Sequence, residues 1–330
     1  MIKLFQRVPK TPEHIFGSKQ VKSVPTDTPS VVIFGGEKTI EEKHPNYYMS
    51  ILQDLLPRDV NIFAIAYDRS NLLPNKTNIE RKQIFKRAQK NIIVDPINKI
   101  PQDVIDLFDI LITPRISDNN GKKIDFNQAI KNIQKLTIYA HCHGSVVAYH
   151  FQQLMKEKMH KLRYTKFQTV MVMQNLVVIQ HAPVVPLTKN KFSTLSFVSA
   201  LDSYTLQYKI VPAWILNNAE NLFVSYFPKK YGNFVIAYQL SERALVEHQI
   251  DGFEFSDLLT ADGMILFDVE ENAIRNSIGR SKILTPAEMI NGSNINFDEL
   301  KSNGNAFKET IQSIALKVRR ARKQARANQK

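Results

Sequence analysis

Along the first 250 residues, short runs of apolar and β-branched residues alternate with stretches whose apolar positions recur every three or four residues. Residues 30–34 (SVVIF) form an apolar run closed by Gly35-Gly36, which predicts a buried strand. Residues 46–56 (NYYMSILQDLL) place Tyr48, Ile51, Leu52 and Leu55 at helical intervals and stop at Pro57. Residues 60–67 (VNIFAIAY) predict a second strand. The chain thus opens as strand, glycine loop, helix, strand, the order of a parallel sheet. Over 68–123 the pattern loosens and Asn, Pro and Gly accumulate. Helices are predicted near 78–90 and 102–112, within an excursion away from the sheet. Asp125 then reads as the N-cap of a helix that turns Phe126, Ile130 and Ile133 inward.

The stretch 136–145 (LTIYAHCHGS) changes period with almost no loop. Leu136 to Ile138 read as a strand, and residues 145–154 take up helical spacing, with Val147, Phe151, Leu154 and Met155 on one face. Further on, 169–180 (TVMVMQNLVVIQ) is predicted as one long strand or two short pieces divided at Gln174-Asn175. Residues 194–200 (TLSFVSA) form another, with Asp202 just past its end, and 233–240 (NFVIAYQL) the last, with His248 eight residues beyond. Residues 1–29 mix Lys, Pro, Thr and Ser without a period and predict an extended arm. The division expected is an arm over 1–29, an α/β domain over 30–250 with insertions at about 68–123 and 203–231, a helix-and-loop extension over 251–303, and a basic segment over 304–330.

Composition narrows the class. At 330 residues, 43% hydrophobic and 23% charged, the chain has the make-up of an ordinary globular protein. No run reaches eighteen apolar residues, and residues 1–16 lack the apolar core of a secretory signal, so a cytoplasmic protein is expected, with export by another route left open. The net charge of +13 is uneven: residues 304–330 hold eight Lys or Arg against one acid, Glu309. That segment spaces Phe307, Ile311, Ile314 and Val318 as a narrow apolar stripe. A basic amphipathic helix suits an anionic membrane surface or an acidic partner. Nucleic acid is not expected as the main ligand, because more than half of the net charge belongs to this one segment and not to the whole fold.

The one cysteine, Cys142, can form no internal disulfide. It lies where strand meets helix, with Ala140 two residues before it and Gly144 two after. Small residues at those places allow the sharp turn of a nucleophile elbow, G-x-S-x-G, here with alanine in the first glycine place and cysteine in the serine place. Such a turn is expected to stand the Cys142 thiol exposed at the strand's end. The plain alternative is a buried structural thiol. His141 and His143 flank the cysteine, yet no second Cys or spaced His pair completes a zinc set, so no metal and no cofactor are expected.

The succession over residues 30–250 resembles the α/β-hydrolase superfamily: Gly35-Gly36 falls at the oxyanion loop, Cys142 at the elbow, Asp202 after the penultimate strand and His248 after the last. The order nucleophile, acid, base is that family's. The resemblance implies a mostly parallel sheet flanked by helices, with a lid inserted over the aromatic stretch 203–231. It also implies a Cys142–His248–Asp202 triad, with oxyanion donors at the backbone N–H of His143 and in the Gly36-Glu37 region. The activity implied is transfer or hydrolysis of an ester, thioester or amide acyl group, with an acyl compound as the small-molecule substrate. Two departures stand out. The loop reads Phe34-Gly35-Gly36-Glu37 where one large branch has His-Gly-Gly-Gly, which leaves the second donor open. Cysteine for serine is the minority choice of dienelactone-hydrolase-like members, and it also fits a scaffold that has lost hydrolysis and binds partners. His181 in place of His248, and Asp268 in place of Asp202, would break the order.

Overall fold

The computed structural model describes residues 2–9, 16–36, 48–49, 60–67, 100–185, 190–199, 224–226, 234–238, 271–284 and 286–292. Nine strands make one sheet: β1 (Ile2–Pro9), β2 (Phe16–Val21), β3 (Ser30–Phe34), β4 (Asn61–Tyr67), β5 (Leu136–His141), β6 (Val177–His181), β7 (Ser193–Ser199), β8 (Val224–Tyr226) and β9 (Phe234–Tyr238). Their order is β2-β1-β4-β3-β5-β6-β7-β9-β8. The six strands from β4 to β9 in that order are parallel, while β1 and β2 at one edge and β8 at the other pair antiparallel. The protein is therefore an α/β fold on a mostly parallel sheet.

The central strands are apolar because both faces are covered. One face carries Val32, Phe34, Ile138, Ala140 and Val178, packed against α1 (Gln102–Leu111), α2 (Thr113–Ile116), α3 (Phe126–Gln134), α4 (Gly144–Lys161) and α5 (Lys166–Gln174). The opposite face carries Val31, Ile33, Tyr139, Ile179 and Phe197 against Tyr48, Met49, Ala273, Ile274, Leu284 and Ile290, and against Met289 of α6 (Pro286–Met289).

Several expectations hold. The strand over 30–34 and the Asp125 cap are as read, with the Asp125 carboxylate accepting from the N–H groups of Asn127 and Gln128. Three readings need correction. Residues 2–9 and 16–21 are no arm: β1 and β2 pair antiparallel and extend the sheet, and Leu4 and Phe5 are buried. Their partner β4 lies some sixty residues away, and nothing local announces it. Residues 102–116 are no excursion, because Val104, Leu107, Phe108 and Leu111 of α1 are core. And 166–174 is helix, not strand. Thr165 caps it through the Gln168 N–H while the Gln168 side chain returns to the Thr165 N–H, a closed capping box that outweighs the β-branched run. Within the stretch read as a lid, residues 224–226 are an edge strand on β9. Of the predicted helix over 46–56 only residues 48–49 are described, and they are helical; the predicted helix over 78–90 and the segment 304–330 lie outside the described residues.

Two buried arginines tie elements together through backbone oxygens. Arg115 donates to the carbonyls of Leu111, at the end of α1, and Pro25. Arg280 donates to those of Gln134, Asn175 and Ser277, which gathers the ends of α3 and α5 beneath the sheet. Burial pushes both guanidinium groups down to about 10. Three of the carbonyls, those of Leu111, Gln134 and Asn175, are at helix C-termini, where the partial negative charge suits a cation.

Candidate active site

The sheet fixes where a site can form. From β3 the chain crosses to β4 on one side, and it later places β5 on the other, so a crevice opens between the C-terminal ends of β3 and β5. Gly36 follows β3 and Cys142 follows β5. Both sequence-predicted residues thus stand at the two walls of that crevice.

Cys142 has φ +49°, a left-handed conformation that a side-chain-bearing residue adopts at a cost of about 1 kcal/mol. The turn is held from all sides. The Cys142 N–H continues the β5–β6 ladder to the His181 carbonyl at 3.0 Å. Its own carbonyl accepts from the Ser145 N–H at 3.0 Å and the Ser145 hydroxyl at 2.7 Å. The Ser145 oxygen in turn accepts from the Val184 N–H at 3.0 Å.

The small residues flanking the turn are there for space. A Cβ on Gly144 would lie 2.1 Å from the Phe34 carbonyl oxygen, so only glycine lets α4 approach β3 this closely. Ala140 is fully buried in register with Phe34. His143 is the N-cap of α4, so Cys142 immediately precedes the N-terminus of that helix.

One expectation is corrected: the Cys142 side chain is buried, with 6% of its surface exposed. Gly36, just past β3, lies against it. A Cβ built on Gly36 would be 3.7 Å from Cys142 Cβ, 3.4 Å from the Tyr48 hydroxyl and 3.5 Å from His141 Nδ1. The Gly36 N–H donates to Tyr48 Oη at 2.9 Å, and Tyr48 Oη lies 2.8 Å from His141 Nδ1. His141 and His181 are paired in register, with ring centroids 5.9 Å apart. Among the described residues no three of His, Cys, Asp and Glu converge as metal ligands would.

The structure thus brings together Cys142, His143, Gly144, Ala140 and Gly36. Asp202, His248, Glu37 and Asp268 lie outside the described residues. Sequence reasoning missed Tyr48, read only as an apolar position of a helix, and Ser145, read only as a helix start. Tyr48 gives no local signal, because its neighbours Gly36 and His141 are distant in the chain.

No protein-family model matches the chain, and no curated protein is detectably similar to it in sequence. Among solved structures it is similar to MGS-M1, an alpha/beta hydrolase enzyme from a Medee basin deep-sea metagenome library. The match has a TM-score of 0.36 and 11% identity, over 83% of this chain and 96% of that one. It is also similar to esterase B from Lactobacillus rhamnosis, determined with a tributyrin phosphonate inhibitor. That match has a TM-score of 0.32 and 11% identity, over 82% of this chain and 86% of that one.

Proposed function

We propose that this chain is an acyl hydrolase or acyltransferase of the α/β-hydrolase type with Cys142 as its nucleophile. The observation that supports this best is the strained turn itself. A lone structural cysteine has no need of a left-handed backbone at the end of a central strand, beside a helix N-terminus and at the crevice where the sheet's connections diverge.

In this reading His248 removes the Cys142 thiol proton and Asp202 orients the imidazole. The sulfur adds to the carbonyl carbon of an ester, thioester or amide, and the carbonyl π pair moves onto oxygen, facing the His143 N–H. Collapse expels the leaving group, which takes the proton from His248, and leaves a thioester on Cys142. Water or a second acceptor then attacks that thioester, and the thiol is regenerated. The aromatic stretch 203–231 would shelter an apolar acyl chain. The basic segment 304–330 would bring the enzyme to an anionic membrane surface.

The test is covalent labelling of the full chain with a thiol-directed acyl probe and a fluorophosphonate, comparing wild type with Cys142→Ala and His248→Ala. Thiol-probe labelling that vanishes in Cys142→Ala and falls in His248→Ala is the expected result. A folded wild type that labels no more than Cys142→Ala overturns it. The burial of Cys142 favours one rival, an inactive α/β-hydrolase scaffold serving as an interaction module, and the same null result would select it.

A further inference from the structure

The loop Phe34-Gly35-Gly36-Glu37 left the second oxyanion donor open, and the first candidate for it, the Gly36 N–H, is directed at the Tyr48 oxygen. We propose that the Tyr48 hydroxyl is that second donor, with the Gly36 N–H behind it and His141 Nδ1 as its resting acceptor. The proposal rests on the acyl-transfer reading above.

Three observations carry it. Tyr48 Oη, His141 Nδ1 and Cys142 Cβ surround one point, the Cβ position of residue 36, at 3.4, 3.5 and 3.7 Å, so the hydroxyl stands beside the elbow and not in the body of the core. All three side chains are buried, which strengthens any hydrogen bond made there. And the hydroxyl already accepts from the Gly36 N–H at 2.9 Å, an arrangement that polarises its own O–H toward donation.

At rest, with the His141 proton on Nε2 as the proposal requires, that O–H donates to the neutral Nδ1, 2.8 Å away. When the Cys142 sulfur adds to a carbonyl, the π pair becomes a full negative charge on oxygen. Rotation about the Cζ–Oη bond then exchanges a neutral acceptor for a charged one, and charge-assisted bonds are roughly twice as strong. No proton leaves Tyr48, and the thiol proton goes to His248. The gain exists only once charge has formed, so it raises turnover and not affinity.

The test compares two reactions of the same thiol. Acylation of Cys142 by an activated ester such as p-nitrophenyl acetate passes through an oxyanion, whereas alkylation by iodoacetamide displaces iodide at a tetrahedral carbon and forms none. In Tyr48→Phe, acylation should slow by about 100-fold while alkylation is unchanged. Equal slowing of both would mean that Tyr48 only supports the loop, and unchanged acylation would mean that it donates nothing; either overturns the proposal. If wild-type Cys142 is alkylated but never acylated, the acyl-transfer reading itself has failed, and the donor role falls with it. Should Tyr48→Phe not fold, a fluorinated tyrosine at 48 keeps the shape and lowers the phenol pKa. Acylation should then fall as pH rises through that lowered value, and a profile identical to wild type overturns the assignment.

Discussion

Gly144 and Arg163 show how differently one residue can be constrained. A methyl at 144 would overlap the Phe34 carbonyl oxygen at 2.1 Å, against backbone that cannot move without shifting β3. Gly144→Ala should therefore cost about 3 kcal/mol, read as a lowered urea midpoint. Arg163 is the reverse case. It follows α4 with φ +61°, its N–H bonded to the His160 carbonyl and the Tyr164 N–H to that of Met159, the hydrogen bonds of a glycine-type helix stop. Its side chain is exposed, so Arg163→Gly should raise stability by about 1 kcal/mol in the same measurement. The elbow was legible in the sequence because steric need leaves a mark: only small residues fit at 140 and 144. The Tyr48 contact was not, because a hydroxyl that meets a glycine N–H across a fold changes nothing in the residues around it.

At the scale of elements, caps decide what periodicity leaves ambiguous. Val170, Met171, Val172 and Met173 satisfy a strand as well as a helix, and the Thr165–Gln168 box settles it. Thr165→Ala should cost about 1 kcal/mol, with helical circular dichroism retained below the transition. Along α4 the Lys156 ammonium is pushed down to about 8, by partial burial and then by the neighbouring Lys191. Below about pH 8 folded and unfolded chains both carry that proton. Between about 8 and the ordinary 10.5 the unfolded chain alone keeps it, so stability from this site rises with pH across that window. The urea midpoint of Lys156→Gln should lack that rise when followed from pH 7 to 10. A wild type and variant that run parallel would refute it. Strands β3, β4, β7 and β9 were each recognised to within a residue or two because their apolar, β-branched and aromatic residues come in short runs, whereas the helix over 166–174 had to be read from a polar pair at its start.

For the whole molecule, the parallel sheet followed from the alternation of strands and helices, and the position of Cys142 at a strand's end from the change of period at 136–145. What the sequence did not reveal is long-range pairing, above all the β1–β2 pair that covers the edge of β4. Removal of residues 1–21 should expose that edge and shift the protein to higher-order species in size-exclusion chromatography. The opposite end of the chain carries a different obligation. Arg280 holds carbonyls of residues 134 and 175, which lie 146 and 105 residues earlier, so during synthesis those carbonyls wait for Arg280 to leave the ribosome. A nascent chain arrested short of Arg280 should therefore be cut by protease more readily than one that includes it.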